Sequence, residues 1–253
     1  MDMWNQGNAS VAHSQSTEVD QGLRSYMLSV YNYMAGGLAI TGALALMAVQ
    51  SEALMSLFYQ LVPSVDGGLP LIAGMKPLGW IVAFAPLAVV LFLGMRIQKM
   101  SFQAAQMAFW GFAALMGLSM SNIFLMYTGG SIARVFFISA ITFGAMSLYG
   151  YTTKRDLSGM GSFLIMGVIG IIVASIVNIF LASTMLHFAI SVIGVLLFVG
   201  LTAYDTQRIK NTYYALQGSG EFMGKSAVMG ALSLYLDFIN LFIMLLRLFG
   251  ERR

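Results

Sequence analysis

The sequence predicts an all-α integral membrane protein with seven transmembrane helices, and three observations predict it. Apolar residues make up 58% of the 253-residue chain and charged residues 9%, where a soluble domain carries about 25% charged residues. With 13 basic and 10 acidic residues, a water-soluble surface cannot be covered. The chain also divides into charge-free runs of the length a membrane helix needs, about 20 residues. The roughly ten-residue alternation of a transmembrane barrel is absent. Backbone polar groups in lipid must pair within their own segment, so each run is read as a helix.

Residues 1–22 are polar and lack the basic and apolar regions of a signal peptide. They are read as a disordered cytoplasmic tail, leaving residues 23–250 as the transmembrane domain. The first span lies in residues 25–51. Residues 52–76 form a hydrophobic connection, with ALMSLFYQLV as an interfacial half-helix and PSVDGGLP as a turn. The second span is 77–95, bent at Pro86. A third occupies 100–133 and ends at the turn TGG (128–130); a fourth occupies 135–153. Residues 157–204 are too long for one helix, and ASTMLH (182–187) divides them into a fifth and a sixth. The seventh is 226–246, interrupted only by Asp237.

Basic residues orient the bundle. Arg24, Arg96 with Lys99, Lys154 with Arg155, and Arg208, Lys210 and Lys225 fall on alternate connections, which places those loops and the amino terminus in the cytoplasm. Seven crossings then put the carboxyl terminus outside, although it ends RLFGERR. A re-entrant last segment would instead return Arg252 and Arg253 to the cytoplasm.

The polar residues within the spans carry the functional argument. A carboxylate at mid-helix costs about 2.5–3.5 kcal/mol on insertion scales, so it faces the bundle interior, a partner or water. Ser233, Asp237 and Asn240 share one helical stripe, opposite Leu, Ile and Phe. Asp205 sits near the cytoplasmic end of the sixth span, with Thr202 one turn before it and Arg208 one turn after. Its simplest role is a helix-end carboxylate paired with Arg208. A meeting of the two aspartates requires their depths to match. Counted from Lys225 and Arg208 they differ by more than about 10 Å at 1.5 Å per residue. A seventh helix starting near Gly230, after a long connection over 211–229, reduces the mismatch.

If they do meet, two carboxylates in a poorly solvated site cannot readily both ionise, and the pair shares a proton. The shared proton closes the pair; its loss makes the carboxylates repel and leaves a site attractive to a cation. Calcium takes six to eight oxygens, so Asp205 and Asp237 with Asn240, carbonyls and water would form only a weak, transit-type site. Asn122 and Asn178 are read as interhelical hydrogen-bonding residues. Arg96 and Arg247 are read as snorkelling to an interface. A gating role for either, by pairing with a carboxylate, is the alternative. His13 and His187 have no metal-ligand company, there is no cysteine, and a net charge of +3 is too small to point to nucleic acid.

SLYLDFINLFIMLLRLFG (233–250), ISVIGVLLFVGLTAYDTQRIK (190–210) and LRSYMLSVYNYMAGGLAITG (23–42) resemble the bacterial branch of the transmembrane Bax-inhibitor-motif family. The resemblance covers about residues 23–250. It implies a seven-helix fold with a central C-terminal helix, and a pH-sensitive calcium leak through an aspartate pair that falls on Asp205 and Asp237. Arg96 is similar to a basic residue that some members place at the end of the second span. The carboxylate that some also carry within that span has no counterpart in residues 77–95. The cell-death partners of eukaryotic members are not implied for a bacterial-looking chain.

Three functions compete. The first is a pH-gated calcium or other cation leak in a bacterial inner membrane, with no cofactor beyond transient calcium. The second is an intramembrane aspartyl protease, invited by Tyr204-Asp205 and by the chemistry of paired carboxylates. Those enzymes pair Tyr-Asp with Gly-x-Gly-Asp and Pro-Ala-Leu; here the second aspartate sits in LYLD and no Pro-Ala-Leu occurs, so no enzyme is expected. The third is a non-conducting membrane protein whose partner is another membrane protein, such as a protease.

Overall fold

The computed structural model describes residues 3–63, 71–216 and 219–253; for residues 3–20, Leu71 and Gln98 the backbone alone is described. Helix α1 spans Met3–Gln50, α2 Glu52–Phe58, α3 Pro77–Arg96, α4 Phe102–Ser119 and α5 Ile123–Met126. They are followed by α6 Gly129–Thr152, α7 Ser158–Leu181, α8 Thr184–Ala215 and α9 Gly220–Phe249. Seven helical segments among the described residues are long and apolar enough to cross a membrane. The chain is an all-α, multi-pass membrane protein.

Local chemistry sets the helix starts. Ser51, Ser101, Thr128 and Ser183 precede α2, α4, α6 and α8, and each side-chain oxygen accepts from the backbone N–H three residues on at 3.3 Å. These bonds satisfy donors that the first helical turn leaves unpaired. Pro77 opens α3, where a missing N–H costs nothing. Pro86 lies inside α3 without ending it.

Several boundaries differ from the sequence reading. The half-helix expected over ALMSLFYQLV stops at Phe58. Tyr59–Val62 (β1) instead pairs antiparallel with Leu71–Met75 (β2), with an irregularity between Gln60 and Leu61. Most of the turn expected at PSVDGGLP lies outside the described residues. The third span ends not at TGG but through a turn over Met120–Asn122 and the short α5; Thr128 is a cap, and Gly129 and Gly130 open α6. Helix α1 runs through residues 3–22, where composition leads to the expectation of a disordered tail. Extending a helix already nucleated in packed residues adds one hydrogen bond for each residue fixed.

The fifth and sixth spans divide at Ala182–Ser183. Ala182 takes a left-handed φ of 47°, and Asn178 secures the turn. Its Oδ1 accepts from the Ser183 N–H at 3.0 Å and its carbonyl from the Ala182 N–H at 2.8 Å. Asn178 therefore bonds locally and not between helices. Asn122, also expected to bond between helices, starts α5 and makes no side-chain hydrogen bond there.

Helix α9 is the core of the bundle. Its most apolar stretch is 72% buried, against 11–33% for the other six spans. It packs on α8, α1, α6 and α4, while α7 leans on α8 and α3 on α4 at the periphery. Outward side chains such as Phe163 and Phe180 are 71% and 84% exposed. An apolar surface of this extent belongs in lipid. Small residues allow the closest helix approaches: a Cβ at Gly150 of α6 would fall on the Ala203 carbonyl oxygen of α8.

The last segment is a full span and not re-entrant, because α9 is an unbroken 30-residue helix, about 45 Å long. Near its start, the Lys225 ammonium donates to the Met100 carbonyl at 3.2 Å. Beyond its end, the Thr128 N–H donates to the Glu251 carbonyl at 3.0 Å, and the Arg253 N–H to the Met126 carbonyl at 3.1 Å. The carboxyl terminus thus sits at the end opposite Lys99, Arg155 and Lys225.

Candidate functional site

The seam between α8 and α9 positions both aspartates. A Cβ at Gly194 of α8 would meet Met244 of α9, and one at Gly230 of α9 would meet Ile209 of α8. Farther along the same seam, the Arg208 guanidinium donates to the Ser233 hydroxyl at 3.1 Å. These contacts define one antiparallel register. Three residues back along α8 and four forward along α9, it brings Asp205 and Asp237 to the same level, one turn deeper. A start near Gly230, which would have reduced the mismatch, is not needed and not found: α8 continues to Ala215 and α9 begins at Gly220, ahead of the 226–246 span read from the sequence. Depth counted from the nearest charges misleads because both helices continue past those charges.

Asp205 and Asp237 are both buried, at 7% and 5% exposure. Arg208 stands 3.3 Å from the Asp205 carboxylate, one turn away on the same helix, with its own side chain half exposed. Its cation also lies 5.8 Å from the Tyr204 ring centre. Asp237 is in a different position: its Oδ2 has no hydrogen-bond partner. The charges acting on Asp237 are those of Asp205 and Arg208. An unmatched buried polar atom costs about 1–3 kcal/mol, and a native protein that keeps one invites a functional explanation.

The other expected site residues divide. Ser233 joins the site through Arg208. Thr202, fully buried, donates to the Phe198 carbonyl at 2.7 Å and accepts at its own carbonyl from Thr206 at 2.7 Å. Asn240 donates to the Leu236 carbonyl of its own helix at 2.8 Å and reaches neither aspartate. Arg96 is exposed at the last turn of α3 and forms no ion pair among the described residues. The gating pair considered for it is not formed.

Sequence reading missed the hydroxyl networks beside the pair. Thr206, the neighbour of Asp205, hydrogen-bonds Ser147 of α6 at 3.0 Å, and Ser147 bonds the Tyr31 hydroxyl of α1. Across α9, the Tyr235 hydroxyl bonds Thr41 of α1 at 2.6 Å, and Thr41 donates to the Ala113 carbonyl of α4 at 2.9 Å. The available signal was a tyrosine hydroxyl at mid-span, which needs a partner when buried. Gln207 clamps the α6–α7 loop at the basic end: its Oε1 accepts from the Leu157 N–H and its Nε2 donates to the Arg155 carbonyl, each at 2.8 Å.

Comparison with known proteins bears on the same helices. The family described as inhibitor of apoptosis-promoting Bax1 matches residues 23–253. An uncharacterized protein of Rickettsia prowazekii is 48% identical over 95% of each chain. An uncharacterized protein of Caulobacter vibrioides is 50% identical over 93% of this chain and 92% of its own. The inner membrane protein YbhL of Escherichia coli K12 is 47% identical over 92% of this chain and 94% of its own.

Proposed function

This chain belongs to the Bax inhibitor family, and from that premise we propose that it is a pH-sensitive cation leak, with calcium as cargo, gated by Asp205 and Asp237. The observation that carries the reading is the buried Asp237, whose Oδ2 has no hydrogen-bond partner while Asp205 and Arg208 act on it. On this reading a proton shared between the carboxyls holds α8 against α9. Losing it sets two negative charges against each other and creates the transient cation site. Arg208, already against Asp205, occupies that site in the closed form. The chain is then a conduit and not an enzyme. We place it in a bacterial inner membrane, as the name of the Escherichia coli relative supports. The amino terminus is cytoplasmic, as the alternation of basic loops supports.

The test is calcium entry into liposomes holding the purified chain and a calcium dye, over about pH 5 to pH 8. Flux in the wild type should rise with pH, and Asp237→Asn should flatten that dependence. No flux at any pH, in wild type or variant, would overturn the leak and leave a non-conducting membrane protein acting through a partner.

A further inference from the structure

At the end of the bundle that holds the carboxyl terminus, a cleft of about 400 Å³ opens between α4, α5 and the facing turns of α8 and α9. Arg247, Arg252 and His187 line it, with Asn122, Ser119 and Tyr127. No carboxylate lines it. Glu251, the acid next in sequence to Arg252, is turned instead to Arg134 at 3.4 Å. Neither Arg247 nor Arg252 forms an ion pair among the described residues. The Arg252 charge acts on both Arg247 and His187. Two guanidiniums, with the His187 imidazole beside them, therefore share one space that no carboxylate among the described residues lines, and an anion would relieve their repulsion.

The arrangement is built and not left to a loose tail. The Thr128 N–H holds the Glu251 carbonyl, the Ser131 hydroxyl accepts from the Glu251 N–H at 3.2 Å, and the Arg253 N–H reaches the Met126 carbonyl. These bonds set the Arg252 cation 5.9 Å from the Tyr127 ring centre, at the wall of the cleft. Ile243 and Leu246 continue the wall as apolar surface toward the depth of the bundle.

We propose that this cleft binds a phosphate-bearing anion, either the headgroup of an anionic phospholipid or phosphate from solution. Paired guanidiniums suit phosphate because each presents a planar fork of donors to its oxygens. The site gives the basic ending RLFGERR a role that topology does not: Arg252 lies at the end opposite the basic loops because it holds a ligand there. The proposal is independent of the aspartate pair.

The experiment is calorimetric titration of the full-length chain in neutral detergent. The titrants are short-chain phosphatidylglycerol, short-chain phosphatidylcholine and inorganic phosphate. Phosphatidylglycerol should bind where phosphatidylcholine does not, and Arg252→Gln should weaken binding roughly tenfold or more. Competition by inorganic phosphate assigns the site to the free anion; its failure to compete assigns it to the lipid headgroup. Arg24→Gln, at the opposite end, should change nothing. The proposal is overturned if neither phosphatidylglycerol nor phosphate binds. It is equally overturned if Arg252→Gln binds like wild type, or if Arg24→Gln weakens binding as much. Arg252 is exposed beyond the last helix, so its substitution reports on the cleft even if Arg247→Gln fails to fold.

Discussion

Arg208 of α8 reaches across to the Ser233 hydroxyl of α9 at 3.1 Å, and the same guanidinium stands 3.3 Å from Asp205. One side chain thus ties the seam together and neutralises one of its two acids. In the proposed leak it competes with the cargo cation for Asp205. Arg208→Gln keeps a donor for Ser233 and removes the charge. Calcium entry into dye-loaded liposomes at neutral pH should therefore be faster than in the wild type. A slower rate would mean that Arg208 supports the path and does not block it.

Asp237 should be a stability liability. Its Oδ2 is unmatched, and a mid-helix carboxylate carries an insertion cost of about 2.5–3.5 kcal/mol. Asp237→Asn keeps the shape and removes the ionisable group, so at about pH 8, where on the proposed reading the shared proton is lost, thermal unfolding in detergent should occur at the wild-type temperature or above it. A clear fall in that temperature would mean that the carboxylate is held by stabilising contacts and is not kept at a cost for function.

The spans were legible because charge is so rare here that its gaps mark the lipid. Asp205 and Asp237 stood out for the same reason. That α8 and α9 bring them to one level was not legible, because helix ends are set by capping and loop contacts and not by the last charge. Lys225 lies five residues inside α9, and Arg208 seven residues before the end of α8. Those internal positions produced the apparent mismatch in depth. The β1–β2 hairpin was hidden because Tyr59–Val62 continues the apolar run of α2, and short apolar runs do not distinguish strand from helix. Ser147 and Thr206 were passed over because each hydroxyl also has backbone carbonyls of its own helix within reach. Only the packing of α6 on α8 reveals the bond between them.

The Thr41 hydroxyl has one hydrogen, which goes to the Ala113 carbonyl, so it accepts from the Tyr235 hydroxyl. The two residues should therefore respond unequally. Tyr235→Phe removes one hydrogen bond and leaves the Ala113 carbonyl paired, costing about 0.5–1.5 kcal/mol. Thr41→Val strands the Tyr235 hydroxyl and removes the second bond to the Ala113 carbonyl, which keeps its helical partner, and should cost more, about 1–3 kcal/mol. The double variant should be less destabilised than the two singles added together. Unfolding measurements on the four proteins check the order; a Tyr235→Phe loss exceeding that of Thr41→Val would reject this donor assignment.

Outside the membrane, Asp156 gives a pH dependence whose sign is fixed. Its Oδ1 accepts from the Ser158 N–H at 2.9 Å at the start of α7. The Ser158 bonds hold its carboxyl below the usual carboxylate range. A group whose folded-state value is depressed stabilises the fold above its unfolded value, and that contribution is lost as pH falls through the folded value. Ordering at the start of α7 should thus be intact at neutral pH and weaken only in acid, below the ordinary aspartate range. Hydrogen exchange at the Ser158 amide, corrected for intrinsic rates, should show protection at neutral pH that fades on acidification. Asp156→Asn should show weaker protection at neutral pH and little change with acid. Equal acid loss in that variant would assign the effect to another group.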